Sequence, residues 1–178
     1  MNTHEKLKVT CLHHPCTASH SVRKLLEKEL GFVYEKAHHT TPARRLEGWT
    51  YFTVVRNHWD ALTTWFFRTH GQSAEAVMNA RWLDDWLDQH ENYHEDGRLW
   101  FHLGRIPHRD LVVLRFENLE EDLRLLLGTF GLTFHSLPRE NVGMYRNGQD
   151  YHKVMTLGCA DRIYEVFRHE ILELDYRF

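Results

Sequence analysis

The tightest constraint on this chain is an abrupt switch from strand to helix near its start. Residues 7–12 form a short apolar run, and residues 13–26, HHPCTASHSVRKLL, leave it through small hydroxyl side chains straight into helical spacing. Such a switch gathers several backbone N–H groups in one concave turn at the positive end of a helix dipole. That environment favours an anion, above all a phosphate. Thr17, Ser19 and Ser21 add hydroxyl donors at the same spot. The simpler reading of the same residues is a serine or threonine cap on a helix. The turn is not the loop G-x-x-x-x-G-K-[ST], because both glycines and the lysine are missing.

The rest of the chain alternates. Val22, Leu25, Leu26 and Leu30 have helical spacing over 21–30, and Gly31 ends the helix. Residues 32–36 read as a second strand, and 38–47 as a loop running into a short helix with Pro42 in its first turn. A β-rich run at 51–55 stops at Arg56 and Asn57, and a helix follows over 58–69. Ser73 is expected to cap a helix whose Val77, Met78, Trp82, Leu83, Trp86 and Leu87 form one apolar stripe. Residues 100–109 are ambiguous, interrupted by Gly104 and Pro107. The continuous apolar run 111–114 reads as a parallel strand buried on both faces, ending at Arg115, Phe116 and Glu117. A helix with Leu119, Leu123, Leu126 and Leu127 comes next, then irregular chain over 133–151, then a last amphipathic helix over 161–174. This order predicts an α/β fold with right-handed crossovers and a central parallel sheet. Ligands of such sheets sit beyond the carboxyl ends of the strands, where residues 15–21, Arg56, Asn57, Arg115 and Glu117 all fall.

Composition narrows the setting. A length of 178 residues fits one domain with a sizeable core. A net charge of -3 and a pI near 6.6 give no footing for nucleic acid or a polybasic membrane patch. Three cysteines with no repeating spacing point to a reducing, cytoplasmic compartment rather than a disulfide framework. No run could span a bilayer, and the first residues lack the apolar core of a signal peptide.

On these residues the chain resembles the sulfotransferases that use 3′-phosphoadenosine 5′-phosphosulfate (PAPS), most closely their compact microbial and carbohydrate-acting branches. The family's first loop, P-K-T-x-x-T-S, is similar to Pro15-Cys16-Thr17-Ala18-Ser19-His20-Ser21. Its second segment, V-R-N-P-W-D-R-L-x-S, is similar to 55–64, VRNHWDALTT, and its later R-F-E-x-L to Arg115-Phe116-Glu117-Asn118-Leu119. The closing D-x-x-x-F-G-Y-x-F is echoed at 171–178. The resemblance implies a single three-layer α/β/α domain, P-loop-NTPase-like, that moves a sulfuryl group from PAPS to a hydroxyl or amine acceptor and leaves adenosine 3′,5′-bisphosphate (PAP). It implies that Cys16, Thr17, Ala18, Ser19, His20 and Ser21 hold the 5′ end, and that Arg56, Thr64 and Arg146 hold the 3′-phosphate. Arg56 also has a reason of its own, a planar fork suited to bidentate phosphate binding, with a salt bridge to Asp60 or Glu117 as the plainer alternative.

The chain departs from that pattern in three places. Cys16 stands where the family has its loop lysine, His58 where it has proline, and Ala61 where it has a second arginine. Loss of the lysine removes a cation where negative charge builds up; His14, His20 and Arg23 are the candidates to replace it. The family's K-H-x-T segment corresponds to residues 36–41, which makes His39 the first candidate for general base, with His38 next and Glu117 an alternative. Adjacent histidines at 13/14 and 38/39 do not make a zinc site, since neighbours project apart and no C-x-x-C pair accompanies them. Tyr145 and Tyr151 are candidates to stack on adenine. The acceptor is a small molecule or a glycan, in an open groove or in a pocket completed by a second copy of the chain. Two rival readings stand beside this one: a PAP- or PAPS-binding protein without catalysis, and an ATP-dependent phosphotransferase. The second lacks the Gly-Lys-Ser/Thr cradle and an obvious magnesium carboxylate.

Overall fold

The run at 50–55, TYFTVV, is β-branched and aromatic and forms the inner strand of a sheet. The computed structural model describes residues 1–35, 46–71, 77–107, 109–140 and 148–178. Strand β4 (Thr50–Val55) is buried on both faces, as a parallel strand requires. It pairs in parallel with β2 (Val9–Leu12) on one side and with β5 (Leu111–Arg115) on the other. Two strands extend the sheet beyond β2. β1 (Asn2–His4) lies antiparallel to β2, and β3 (Val33–Tyr34) antiparallel to β1, giving the order β3-β1-β2-β4-β5.

The fold is therefore mixed α/β, and among the described residues its sheet has five strands: β2, β4 and β5 run parallel as the alternation predicts, while β1 and β3 add an antiparallel flank that it does not. The cause is local. Lys8 adopts φ 54 and donates its N–H to the Glu5 carbonyl at 3.1 Å, folding residues 2–4 back on β2 as a tight hairpin that needs no crossover.

The described residues divide into two compact units, each made of two chain segments. The first comprises Met1–Arg56 and His102–Glu140 and holds the sheet with α1 (Ser19–Glu29), α4 (His102–Arg105) and α5 (Leu119–Gly128). Val22, Leu25 and Leu26 of α1 meet Leu119, Leu123 and Leu127 of α5 over Val9, Cys11, Phe52, Val54 and Leu114 of the sheet, in one apolar cluster. Each of these side chains contributes roughly 1.5–3 kcal/mol through burial. The ambiguous stretch 100–109 thus contains a single helical turn, α4.

The second unit comprises Asn57–Phe101 and Asn141–Phe178, and its described elements are helical: α2 (His58–His70), α3 (Ala80–Gln89), α6 (Tyr151–Val154) and α7 (Leu157–Glu173). The helix expected from Ser73 differs from prediction. Ser73 lies outside the described residues, and α3 begins at Ala80 under Asn79, whose Oδ1 accepts from the Trp82 N–H at 3.0 Å. Met78 precedes the helix in an isolated bridge to Met155, and Val77 is exposed, so the buried stripe is Leu83 and Trp86. Helix α7 starts four residues before its predicted boundary because Thr156 caps it, and the backbone leaves helical geometry at Phe167 (φ -106, ψ 19). Gly97 (φ +70) sits where any Cβ would meet the Val166 carbonyl at 2.7 Å, a close approach that only glycine permits.

A buried carboxylate organises this unit. Glu170 is wholly buried and accepts from the Leu99 N–H at 2.8 Å, the Trp100 N–H at 3.2 Å and His58 Nε2 at 3.0 Å. The His58 ring is itself enclosed by Trp100, Phe167 and Tyr176, with centroids 5.6, 5.5 and 6.1 Å away. No helix among the described residues is long and apolar enough to cross a membrane. Glu170→Ala would leave three buried donors without their acceptor and is expected to destabilise the protein by about 3–5 kcal/mol. Chemical denaturation measures this; a loss below about 1 kcal/mol would show that the carboxylate is not what holds the unit.

Candidate functional site

The site is built on the carboxyl ends of β2, β4 and β5. Leu12 pairs with Thr53, and Val55 with Arg115, so the chain leaves the three strands along one edge of the sheet. Thr53 reinforces this register by donating its buried hydroxyl to the Leu12 carbonyl at 2.9 Å. Immediately beyond β2 the backbone enters the left-handed region twice, at Cys16 (φ 60) and Ala18 (φ 58), neither of them glycine. Such conformations cost about 1–2 kcal/mol each and persist only where their surroundings enforce them.

Two hydrogen bonds enforce this one. The Thr17 hydroxyl, 1 % exposed, donates back to the His14 carbonyl at 2.9 Å. Arg56, one residue past β4, donates from Nη1 to the Cys16 carbonyl at 2.9 Å while its guanidinium lies 4.1 Å above the Phe116 ring. The two segments singled out in the sequence, 15–21 and Arg56, therefore meet. The guanidinium is oriented by a carbonyl on one side and an aromatic face on the other.

Helix α1 starts in this turn, and it is not capped in the ordinary way. Its N-cap is Ala18, no side-chain hydrogen bond caps it, and no acidic residue lies in its first turn. The first intrahelical bond runs from the Val22 N–H to the Ala18 carbonyl at 3.0 Å, so the amides of Ser19, His20 and Ser21 come before the ladder begins. The hydroxyl-cap reading of this stretch thus fails on geometry. Thr17 bonds backward, and Ser21 Oγ accepts the Glu140 N–H at 3.1 Å, leaving the Ser21 proton to donate elsewhere. Glu140 also binds Lys24 of α1 through its carboxylate, and that bond holds the Glu140 carboxyl below its ordinary range.

The remaining predicted residues take varied places. His14 is fully buried, its ring tilted against that of His102 at 4.4 Å. Ser19 is buried and His20 exposed. Arg23 lies over Tyr34, 4.8 Å from the ring centroid, and 3.8 Å from Glu27. Glu117 is exposed on the 3₁₀ turn Phe116–Asn118, whose entry is fixed by the Arg115 N–H bonding Asp122 Oδ2 at 2.8 Å. Thr64 belongs to the second unit, where its hydroxyl donates to the Asp60 carbonyl of its own helix at 3.1 Å. His38, His39, Tyr145 and Arg146 lie outside the described residues. Sequence reasoning passed over Phe116 as a platform, His102 as the partner of His14, and Glu140 as the partner of Ser21 and Lys24. Only Phe116 left a signal, its place between Arg115 and Glu117.

Among the described residues, no group of three or more His, Cys, Asp or Glu side chains is arranged to hold a metal ion. The chemistry open to the turn is anion binding by backbone N–H groups, the Ser21 hydroxyl and the Arg56 guanidinium. No family model, curated protein or solved structure matches this chain.

Thr17→Val removes the buried donor to the His14 carbonyl while keeping the side-chain shape, and is expected to lower stability by about 1–2 kcal/mol in a denaturant titration. Thiol chemistry gives a second check. Burial pushes the Cys11 thiol up and the Cys159 thiol up to about 12, whereas Cys16 is half-buried in the turn. The native protein should therefore react with a thiol reagent quickly at Cys16 and slowly at the other two. Fast modification of Cys11 or Cys159 in the folded state would contradict this geometry.

Proposed function

We propose that the turn from Cys16 to Ser21 is the 5′-phosphosulfate cradle of a PAPS-dependent sulfotransferase. The observation that carries this reading is the 2.9 Å bond from Arg56 to the Cys16 carbonyl, which joins the two segments that carry the family resemblance at a single turn. On this reading the fold is of the three-layer, P-loop-like α/β/α kind, and the uncapped amides of α1 receive the donor's anionic end. The three unbridged thiols fit a cytoplasmic setting.

The reaction is an in-line transfer. An acceptor hydroxyl or amine attacks sulfur, the bond from sulfur to the 5′-phosphate oxygen breaks, PAP departs with the electron pair, and a base takes the acceptor's proton. The amides of Ser19, His20 and Ser21 meet charge on the transferring group and the leaving phosphate. Arg56, beside the turn, supplies the fixed cation for the 3′-phosphate. Of the three candidates to replace the family lysine, His14 is buried against His102 and Arg23 lies on Tyr34, which leaves exposed His20 on the first turn of α1 as the one best exposed to a bound anion. His39 is the proposed base from its sequence position, with Glu117 as the alternative. Arg146 remains the second candidate for the 3′-phosphate by the same argument.

A second reading has its own observation. With cysteine in place of the loop lysine, the chain would bind PAP or PAPS without transferring the sulfuryl group. The two readings part on one assay. The catalytic protein releases PAP from labelled PAPS in the presence of a mixed alcohol, glycan and amine acceptor panel, whereas a binding protein does not.

Ligand-dependent melting tests the shared part. PAP is expected to raise the melting temperature in a concentration-dependent way and to protect Cys16 from a thiol reagent, and ATP to do neither. Arg56→Ala should weaken PAP binding by at least tenfold, and Arg56→Lys should restore little of it because the planar fork is lost. Stabilisation by ATP but not by PAP would overturn the assignment in favour of a phosphotransferase.

A further inference from the structure

The second unit holds a cavity of about 410 Å³ along one stripe of α7, for which the nucleotide reading has no use. Large apolar side chains form much of its wall. Leu157, Tyr164, Leu172 and Phe178 all line it, and all are exposed large hydrophobic side chains, with Leu157 at 74 % and Leu172 at 59 %. Its floor includes Trp59, held in place by its indole N–H bonding the Ala160 carbonyl at 3.0 Å, and Trp59 meets Phe178 in an aromatic corner at 5.7 Å and 59°. A concave site of this volume with aromatic walls is the size and character of a small-molecule pocket.

The charged groups on the lining are Asp161, Asp175 and Arg177. Arg177 leans on Asp175 at 3.7 Å, both side chains being largely exposed. Asp161 is exposed, follows the Ala160 carbonyl that anchors Trp59, and has no cationic partner among the described residues. The balance is one uncompensated carboxylate beside an aromatic corner. That combination repels anions and attracts a cation attached to a flat apolar body, since the carboxylate and the exposed Tyr164 ring both favour positive charge, as the Arg168 guanidinium 5.9 Å from that ring's centroid already illustrates.

We propose that this cavity binds an organic cation, an aromatic or alicyclic amine, with its ring against Tyr164 and Phe178 above the Trp59 floor and its ammonium at Asp161. The proposal stands apart from the nucleotide reading and uses none of the residues to which that reading gives a binding or catalytic role.

The test is calorimetric titration of the full chain with phenethylamine and tryptamine, set against 2-phenylethanol and phenylacetate as neutral and anionic counterparts of the same shape. The amines are expected to bind saturably and at least tenfold more tightly than the alcohol, with no measurable heat from phenylacetate. Asp161→Asn should abolish the preference for amine over alcohol, and Tyr164→Ala should weaken both by at least fivefold. Both side chains are exposed, so neither change should alter the circular dichroism spectrum or melting temperature of the unliganded protein. Equal affinity for amine and alcohol, no binding of any probe at millimolar concentration, or an unchanged amine preference in Asp161→Asn would overturn the proposal. Light scattering closes the remaining route: a dimer that Tyr164→Asp dissociates would assign this face to a second copy of the chain and overturn it equally.

Discussion

The parallel register of β2, β4 and β5 is the constraint from which the candidate site follows. With Leu12 opposite Thr53 and Val55 opposite Arg115, three exits from the sheet fall on one edge: the turn after β2, Arg56 after β4 and Phe116 after β5. Each is useless alone. The turn has no cation of its own at Cys16, Arg56 would swing freely without its carbonyl and ring, and Phe116 is otherwise a partly buried side chain at the rim of the core. A slip of one residue in β4 would send alternate side chains to the opposite face, taking Thr53 away from Leu12 and Arg56 away from the turn. The buried Thr53 hydroxyl on the Leu12 carbonyl is therefore more than a satisfied polar group. It ties the strand that carries the turn to the strand that carries the guanidinium.

The helical unit is fixed by different physics. Its organiser is a carboxylate removed from water, which is tolerable because three donors are aimed at it: two successive backbone amides and an imidazole. The histidine in that arrangement is His58, the residue that stands where the sulfotransferase pattern has proline. A proline there could neither bond Glu170 nor pack between Trp100 and Phe167. The departure thus has a structural cause within the unit, and it bears on stability rather than on anion binding.

How much of this could be read from the sequence follows from the range of the interactions. The strands at 9–12, 50–55 and 111–115 and the helices after them announce themselves by local periodicity, and the rule that ligands sit beyond the carboxyl ends of parallel strands marks the three strand ends as the candidate edge. The antiparallel flank was not foreseen, because β1 is three residues long, beginning at Asn2, and its hairpin depends on Lys8 taking a left-handed conformation that lysine seldom adopts. The start of α3 was misplaced because Val77 and Met78 fit a helical stripe by spacing, while a bridge to Met155, far along the chain, takes Met78 out of it. The bond from Arg56 to Cys16 spans 40 positions, and that from Glu140 to Ser21 spans 119; no local pattern encodes either. The rule that ligands gather at strand ends foresaw the first of these. Nothing in the sequence pointed to the second.

The strain in the turn bears on which kind of site this is. A helix that merely needed a start could use Ser19 or Thr17 as an ordinary cap, with all residues in favourable backbone regions and a gain of about 1 kcal/mol. This chain does the reverse. It places alanine at the cap and holds both Cys16 and Ala18 at positive φ. It bonds the Thr17 hydroxyl backward to His14, so that no N-cap side chain closes the first turn of α1. Glycine at 16 or 18 would relieve the backbone but would also loosen the loop, whereas non-glycine residues pinned by Arg56 and Thr17 keep the amides preorganised. Preorganised donors are what distinguishes stabilisation of charge as it develops from simple attraction to an ion, because no reorganisation is needed when the charge appears. The turn has no lysine to strengthen its field, yet its geometry does not depend on one, so the arrangement of backbone amides, rather than any single cationic side chain, is the feature on which an anion-binding role rests.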